Sequence, residues 1–447
     1  MFRKLLIANR GEIARRIGRT ARSMGITVVA VHSEADRDAP FVREADEAFL
    51  LGPPPPKESY GNIDAIVAAL RATGADALHP GYGFLSESEN LVAACLDAGV
   101  SFVGPSVHSI RAMGSKIESK IAMIEAGVPV VPGPVHALEH EDDAVKAAGS
   151  IGWPVMLKAS AGGGGIGMAR CMNEKQLRGA FEDAKKKGQQ FFGSPRVFIE
   201  KLIESPHHIE VQVLGDKHGN VVHLFERECS VQRRNQKVLE ETPSPLLDDQ
   251  TRARLCDAAV AAARAVNYQN AGTVEFVADE HKNFFFLEMN TRLQVEHPIT
   301  EAVLGIDIVE HQLRIAAGEP LSLPPLQPRG HAIEVRVCAE DPNKRFFPQP
   351  GTLGEVVWPT GDGIRVDAGV ESGSAVPPYY DSLLAKIVGH GATRDQAIAR
   401  LRAALDRTSI GGLTSNLEMH KRILDDEQFR AGHTTTAFLE ERLGLKA

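Results

Sequence analysis

The stretch Phe284-Phe285-Phe286-Leu287-Glu288-Met289-Asn290-Thr291-Arg292-Leu293-Gln294-Val295-Glu296-His297-Pro298 runs from an apolar strand straight into a charged motif. Across the polar turn from Ala278 to Asn283, the strand half faces Thr273-Val274-Glu275-Phe276-Val277. A hairpin of these two segments brings Glu275 and Glu288 together. The period of two places Glu288 and Asn290 on one face. Carboxylates set among phenylalanines need neutralising partners if buried. Two carboxylates and an amide are hard oxygen ligands, suited to Mg²⁺ bridging nucleotide phosphates. The competing reading is a pair of solvent-facing carboxylates on an edge strand; the apolar setting favours the metal site.

Working outward, His208-Ile209-Glu210-Val211-Gln212-Val213 and Ala332-Ile333-Glu334-Val335-Arg336-Val337 alternate with period two and predict half-buried antiparallel strands. An Ala-rich helix starting near Asp248, with Leu255, Ala259, Ala262 and Val266, covers one face. Upstream, Val155 to Ala159 and Val197 to Glu200 read as strands of a small α/β module with a loop at its centre. The first hundred residues alternate short apolar strands (Leu5–Ala8, Thr27–Val31, Ala75–Leu78, Ser101–Val103) with amphipathic helices. That alternation predicts a parallel sheet with right-handed crossovers. The expected boundaries are an N-terminal domain over 1–113, a helical linker over 114–130, a small module over 131–203 and a large region over 204–447. The linker carries Ile117, Ile121 and Ile124 at helical spacing and stops at Gly127 and Pro129.

Composition narrows the function. Lys plus Arg is 50 against 58 Asp plus Glu, a net charge of −8, which argues against a nucleic-acid partner. The five cysteines never form CxxC, which argues against a disulfide framework or zinc site. The N-terminus lacks a signal-peptide pattern. No segment approaches the roughly 20 apolar residues of a membrane span. A reducing, cytoplasmic setting is therefore expected, with no membrane partner.

Several further motifs bear chemistry. Gly162-Gly163-Gly164-Gly165-Ile166-Gly167 places five glycines in six residues; it reads equally as a flexible linker or as a loop whose bare N–H groups close over phosphates. It follows a strand ending near Lys158, whose ammonium could reach phosphate as a point charge. Arg292 can bind a small planar oxyanion bidentately, and Glu296 could act as a general base on it. The two could also form a structural ion pair, but their place directly after the metal-ligand candidates favours catalysis. Glu226 to Lys237 is the densest charged run, ordinarily a solvated face. Within it Cys229 reads as a buried small side chain, and Lys237 as an anion ligand if the fold brings it to the site. Asn9-Arg10-Gly11-Glu12 reads as a tight strand-to-helix turn. His79-Pro80-Gly81-Tyr82-Gly83-Phe84 lies at the carboxyl end of a strand, where open parallel sheets bind ligands, although it could equally be a plain turn.

In this order, the motifs closely resemble the biotin carboxylase family of the ATP-grasp superfamily. The match runs from Ile7–Ile13 through His79–Glu87, Lys158–Ser160, the glycine run, Arg227–Lys237 and Glu288–Pro298, to Ala339–Pro342, Pro350-Gly351 and Val376–Ser382, covering nearly the whole chain. The resemblance implies an ATP-grasp fold, mixing α/β and α+β domains: an N-terminal parallel-sheet domain, a mobile lid and a C-terminal antiparallel-sheet domain. It implies an ATP-dependent ligase that carboxylates biotin with bicarbonate, through carboxyphosphate. The cofactors and substrates would be ATP, Mg²⁺ (or Mn²⁺), bicarbonate and carrier-bound biotin. Lys116, Lys158 and the loop glycines Gly163, Gly164, Gly165 and Gly167 match phosphate contacts. Glu200, Lys201 and Ile203 match the adenine hinge; His208 and Gln232 match nucleotide neighbours. Glu275, Glu288 and Asn290 match the metal site. Lys237, Arg292, Gln294 and Val295 match the bicarbonate pocket, and Tyr82 and Gly83 lie near biotin. Glu296 matches the base, and Arg336 the residue stabilising the biotin enolate.

The resemblance further implies a homodimer and the first half-reaction of an acetyl-CoA, propionyl-CoA or pyruvate carboxylase, the acetyl-CoA enzyme serving fatty acid biosynthesis. The chain lacks an Ala-Met-Lys-Met biotin attachment motif and ends soon after the carboxylase pattern. The biotin carboxyl carrier protein and carboxyltransferase are thus expected on separate chains. The alternatives are another ATP-grasp carboxylate ligase and a non-catalytic nucleotide-binding subunit. Two positions depart from the family pattern: Ile166 stands where Arg or Lys is common, and Asn235 where many members carry His. Both bear on nucleotide affinity and lid closure more than on chemistry. Ile166→Arg is expected to change the apparent affinity for ATP more than the rate at saturating ATP, in steady-state assays of ADP release.

Overall fold

The computed structural model describes residues 1–160 and 167–445. Gly163, Gly164, Gly165 and Ile166 lie outside the described residues.

Five parallel strands form the N-terminal sheet, in the order Glu47–Gly52, Thr27–Ser33, Lys4–Ile7, Ala77–His79, Ser101–Phe102. Four were legible as apolar runs. The fifth, Glu47–Gly52, is an edge strand with most side chains solvated, and edge strands lack the continuous apolar signature of buried ones. The Gly11–Ser23 helix buries Ile13, Ala14, Ile17 and Ala21, the stripe its spacing predicts. It ends through Met24 and Gly25, whose φ of +75° suits glycine. This helix does not close a private core. Leu5, Ile17 and Val28 pack in one cluster with Leu293, Ile308 and Leu313 from the large region.

The small module is a three-stranded antiparallel sheet, Ala169–Cys171, Val155–Ala159, Val197–Lys201. Helices Glu141–Ile151 and Glu174–Phe192 cover it with Ala144, Ala148, Leu177 and Phe181. Helices Val107–Gly114 and Lys116–Glu125 precede it.

The large region is built on one eight-stranded sheet. Its order is Phe284–Asn290, Asn270–Ala278, His207–Gly215, Val221–Arg233, Gln236–Thr242, His331–Cys338, Leu383–Gly391, Ile364–Ala368, and every pairing is antiparallel. The Asp249–Ala265 helix, capped by Asp248 accepting from the Thr251 amide at 2.8 Å, packs Leu255, Ala259 and Ala262 against Val211 and Phe276.

The structure departs from two expectations. The strands at His207–Gly215 and His331–Cys338 are buried on both faces, not half-buried. Their polar residues point into the protein: Glu210, Gln212 and Glu334 are each 0% exposed. The charged run from Glu226 is likewise not a solvated face along its length: Glu226, Arg227 and Glu228 are buried, and only the turn Arg234 to Gln236 is exposed. Alternation reports which face a side chain occupies, but not what covers that face. Here helix His297–Leu304 covers it over strands Gln236–Thr242, His331–Cys338 and Leu383–Gly391.

Phe276 is fully buried and meets Phe284 edge-on at 5.6 Å. Phe276→Ala is expected to lower stability by about 3–5 kcal/mol, seen as an earlier midpoint in urea melts.

Candidate active site

The strand register lays out a row of charge. Glu288 pairs with Glu275, Glu275 with Glu210, and Glu210 with Arg227, on four adjacent strands. Carboxylates side by side on a sheet repel unless cations intervene. The Lys237 ammonium supplies the intervening charge. It touches Glu210, lies 2.7 Å from Glu275 and 2.8 Å from Glu296. Arg227 closes the other end, donating to Glu210 at 2.6 Å, Gln212 at 2.9 Å, Thr300 at 3.0 Å and Thr273 at 3.1 Å.

These contacts set the titration of the site. Burial disfavours the Lys237 cation, but Glu210, Glu275 and Glu296 outweigh it and hold its pKa well above the ordinary value. Burial likewise opposes ionised Glu296, yet Lys237, Arg336 and Arg227 hold that carboxyl well below the usual range. Glu275 is also lowered: burial works against its charge, and Lys237 and His208 overcome it. Burial pushes the Cys229 thiol well above its ordinary value; it is an inert small side chain, as its sequence context suggests.

Two cavities meet at this row. The larger, of about 630 Å³, is lined by Tyr82, Gly83, Lys237, Glu275, Glu288, Asn290, Arg292, Gln294, Val295 and Arg336, along with Asn9 to Glu12 and Tyr379 to Asp381. The smaller, of about 230 Å³, has apolar walls from Val131, Met156, Leu202, Ile203, Val277 and Leu287, with Lys116, Lys158, Lys201, His208 and Gln232 around it. Glu275, Glu288, His208 and Asn235 line both. Apolar walls suit a planar base, and lysines beside a carboxylate pair suit its phosphates. The donors Glu275, Glu288 and Asn290 are all oxygen donors on two paired strands at that junction, which fits a hard divalent ion.

The individual side chains sit as follows. Lys116 donates to Glu288 at 2.7 Å, and Lys158 to Glu200 at 2.6 Å. Glu200 also accepts from Lys120 at 3.0 Å; its carboxylate anchors two lysines and is not among the cavity lining. Lys201 donates to the Gly152 and Trp153 carbonyls at 3.2 and 2.9 Å. Gln232 donates to the Cys229 carbonyl at 2.9 Å, and His208 lies 3.2 Å from Glu275. Gly167, at φ +74°, accepts from the Ala159 amide. Arg292 is steadied by Glu87 at 3.1 Å, Gln294 at 2.9 Å and Asn290 at 2.9 Å. It makes no ion pair with Glu296, the structural alternative its spacing left open. Glu296 is fully buried and lies behind the cavity wall, joined to Lys237 and to Arg336 at 3.0 Å. Tyr82 donates to Glu12, so the turn at Asn9 to Glu12 belongs to the site as well as to the fold.

Glu210, Arg227, Glu87, Lys120 and Glu240 escaped the reading of single motifs. Glu210 and Arg227 lie within strands whose alternation was visible, but their pairing depends on register. Glu87 is 205 residues from Arg292, a separation no local pattern spans.

Known proteins share this architecture. Family models match for the biotin carboxylase N-terminal domain over residues 1–110, the ATP-binding domain of the carbamoyl-phosphate synthase L chain over 115–323, and the biotin carboxylase C-terminal domain over 334–441. The biotin carboxylase of Halalkalibacterium halodurans is 52% identical over 450 residues, spanning 100% of this chain and 99% of that one. The propionyl-CoA carboxylase alpha chain of Ruegeria pomeroyi is 50% identical over 463 residues, spanning 99% of this chain and 68% of that one. A solved structure superposes with a TM-score of 0.96 at 46% identity, covering 100% of this chain and 98% of the other. It is the biotin carboxylase domain dimer of Hydrogenobacter thermophilus 2-oxoglutarate carboxylase, in complex with MgADP, ADP and bicarbonate.

Removing Arg227 leaves Glu210 buried without its closest guanidinium. Arg227→Ala is expected to lower stability by about 3–5 kcal/mol, measured by chemical denaturation.

Proposed function

The chain belongs to the biotin carboxylase family, and from that premise we propose that it carboxylates carrier-borne biotin at the expense of ATP and bicarbonate. The observation that carries this reading is the junction of the two cavities. A base-and-phosphate cavity with lysines meets a cavity lined by Lys237, Arg292, Arg336 and Tyr82 across the Glu275–Glu288 pair. We propose the domain division 1–113, 114–130, 131–203 and 204–447, supported by the separate five-, three- and eight-stranded sheets.

In this reading Ile203 and the Glu200–Lys201 backbone face the adenine, while Lys116 and Lys158 turn from Glu288 and Glu200 to the phosphates. Glu275, Glu288 and Asn290 hold Mg²⁺ (or Mn²⁺), which neutralises phosphate charge when bound. Arg292 and Lys237 bind bicarbonate, with Gln294 and the Val295 backbone beside them. Glu296 takes the bicarbonate proton. In the arrangement described it is ionised and able to accept, but its two cations make it a weak base. Drawing Lys237 and Arg336 toward anionic substrates weakens those contacts and raises its basicity as the reaction starts. The bicarbonate oxygen attacks the γ-phosphorus, ADP leaves and carboxyphosphate forms. Its breakdown gives CO₂ and phosphate, and the phosphate removes the biotin N1 proton. Arg336 stabilises the resulting enolate, which attacks CO₂.

The carboxyl acceptor belongs to the partner. Acetyl-CoA, with its link to fatty acid biosynthesis, propionyl-CoA and pyruvate are all compatible with the chemistry of this half-reaction. A cytoplasmic homodimer serving a separate carrier and carboxyltransferase completes the proposal. The dimeric structural relative supports the homodimer. Among the described residues no helix is long and apolar enough to cross a membrane.

The test is ADP formation with Mg²⁺ and ATP, with and without bicarbonate and free biotin. Bicarbonate-dependent release that rises with biotin is expected. Glu296→Ala should lower it by about 10²–10⁴-fold. ADP release that follows a different carboxylate instead would point to another ATP-grasp ligase.

A further inference from the structure

Beneath Arg336 lies a pair of carboxyls that the proposed chemistry does not use. Glu240 and Glu334 are direct cross-strand partners, so they share a face of the sheet. Arg336 is two residues along from Glu334 on that face, opposite Lys386. Both glutamates are 0% exposed. Glu240 Oε1 accepts from Arg336 at 2.7 Å, while its Oε2 has no partner. Glu334 has none at either oxygen. Three enclosed carboxyl oxygens on two facing residues therefore lack a hydrogen bond.

The neighbours do not neutralise Glu334. The groups facing it are Lys386, Glu240, Arg336 and Glu296. Those facing Glu240 also include Lys237 and Cys229. Lys386 is committed to the Val295 carbonyl at 2.8 Å and to Glu12 at 3.3 Å. Arg336 spends its guanidinium on Glu240 and Glu296. Among the described residues no cation lies within ion-pair distance of Glu334. An ionised carboxylate so placed is costly, and it binds a proton instead.

We propose that Glu334 is a protonated carboxyl that donates a hydrogen bond to Glu240, and that this pair is the positioning device holding Arg336 in line with Glu296. One proton partners the free Glu240 oxygen and an oxygen of Glu334 together. It leaves the pair with one negative charge under the guanidinium; burial pushes the Glu240 carboxyl up as well, to about 7, against the pull of Arg336. Burial and the Glu240 charge act in the required direction on Glu334, whose pKa stands well above the ordinary value. The sign follows. A raised carboxyl keeps its proton at low and neutral pH and loses it as pH rises through the folded value. That loss places a second anion beneath Arg336 and draws the guanidinium away from the cavity.

The role of Arg336 rests on the proposed function, but the proton can be read without turnover. Infrared spectra of the wild type minus Glu334→Gln at neutral pH are expected to show the C=O stretch of a protonated carboxyl. The band should shift in Arg336→Met. Absence of the band, or a band blind to Arg336→Met, overturns the proposal even if the enzyme carboxylates biotin. In kinetics, Glu334→Leu removes the donor and is expected to lower kcat/KM for biotin by about tenfold or more, with KM for ATP unmoved. Glu334→Gln keeps a donor and should recover most of that loss, without the alkaline fall of the wild type. Equal losses in the two variants, or an alkaline limb that survives in Glu334→Gln, overturn the proposal. A band that shifts with Arg336, in a protein that does not turn over biotin, supports the pair and rejects only the biotin reading.

Discussion

One buried ammonium organises the active site. Lys237 stands against Glu210, Glu275 and Glu296, which arrive from three different parts of the chain. None of these carboxylates could be enclosed as an anion without a cation at this point, because burial penalises isolated charge far more than it rewards packing. The candidate metal ligand Glu275 and the proposed base Glu296 meet at that one cation. Arg227 and Arg336 flank it, so every carboxylate of the row except Glu288 has a guanidinium or ammonium against it from within the sheet. Glu288 takes Lys116 instead, from the helix leading into the small module.

The sheet that carries this charge is unusual in having no solvated face at its centre. Hydrophobic side chains fill one side, under the Asp249–Ala265 helix. Polar side chains fill much of the other, closed by helix His297–Leu304 and by the N-terminal module, which shares its core with residues around Leu293 and Ile308. Such a face is useful for catalysis. Low dielectric strengthens each interaction, and hydrogen bonds fix each side chain before substrate arrives. It also makes protonation states part of the architecture, since a carboxyl without a cation must carry a proton. Glu296 and Glu334 lie near one another and show the two outcomes. Lys237, Arg336 and Arg227 hold the first ionised; with no cation at ion-pair distance among the described residues, the second keeps its proton.

Local patterns revealed a good part of this. The hairpin joining Glu275 to Glu288 was legible because strand, polar turn and strand follow one another directly, and antiparallel pairing across a short turn leaves little choice of partner. The N-terminal parallel strands were legible as apolar runs between helices, except for the solvated edge strand Glu47–Gly52. Family motifs named the candidate site residues, with Glu200 as an instructive case. The resemblance assigns its position to the hinge, while its side chain turns inward to hold Lys120 and Lys158.

By itself, the sequence determined the order of helices and strands, the side-chain set that the chemistry needs and the family pattern those side chains make. Each is a property of neighbours along the chain, set by periodicities of 2 and 3.6 and by motif spacing. Only the tertiary structure decided that the alternating strands are buried on both faces and that the charged run is buried from Glu226 to Gln232. It alone decided that Arg292 leans on Glu87 rather than on Glu296, and that Glu334 faces Glu240 without a counter-ion. Those outcomes depend on register and on what covers each face. Both are settled by contacts between residues far apart in the chain, where the energy of burying a charge is decided by a partner that no local pattern names.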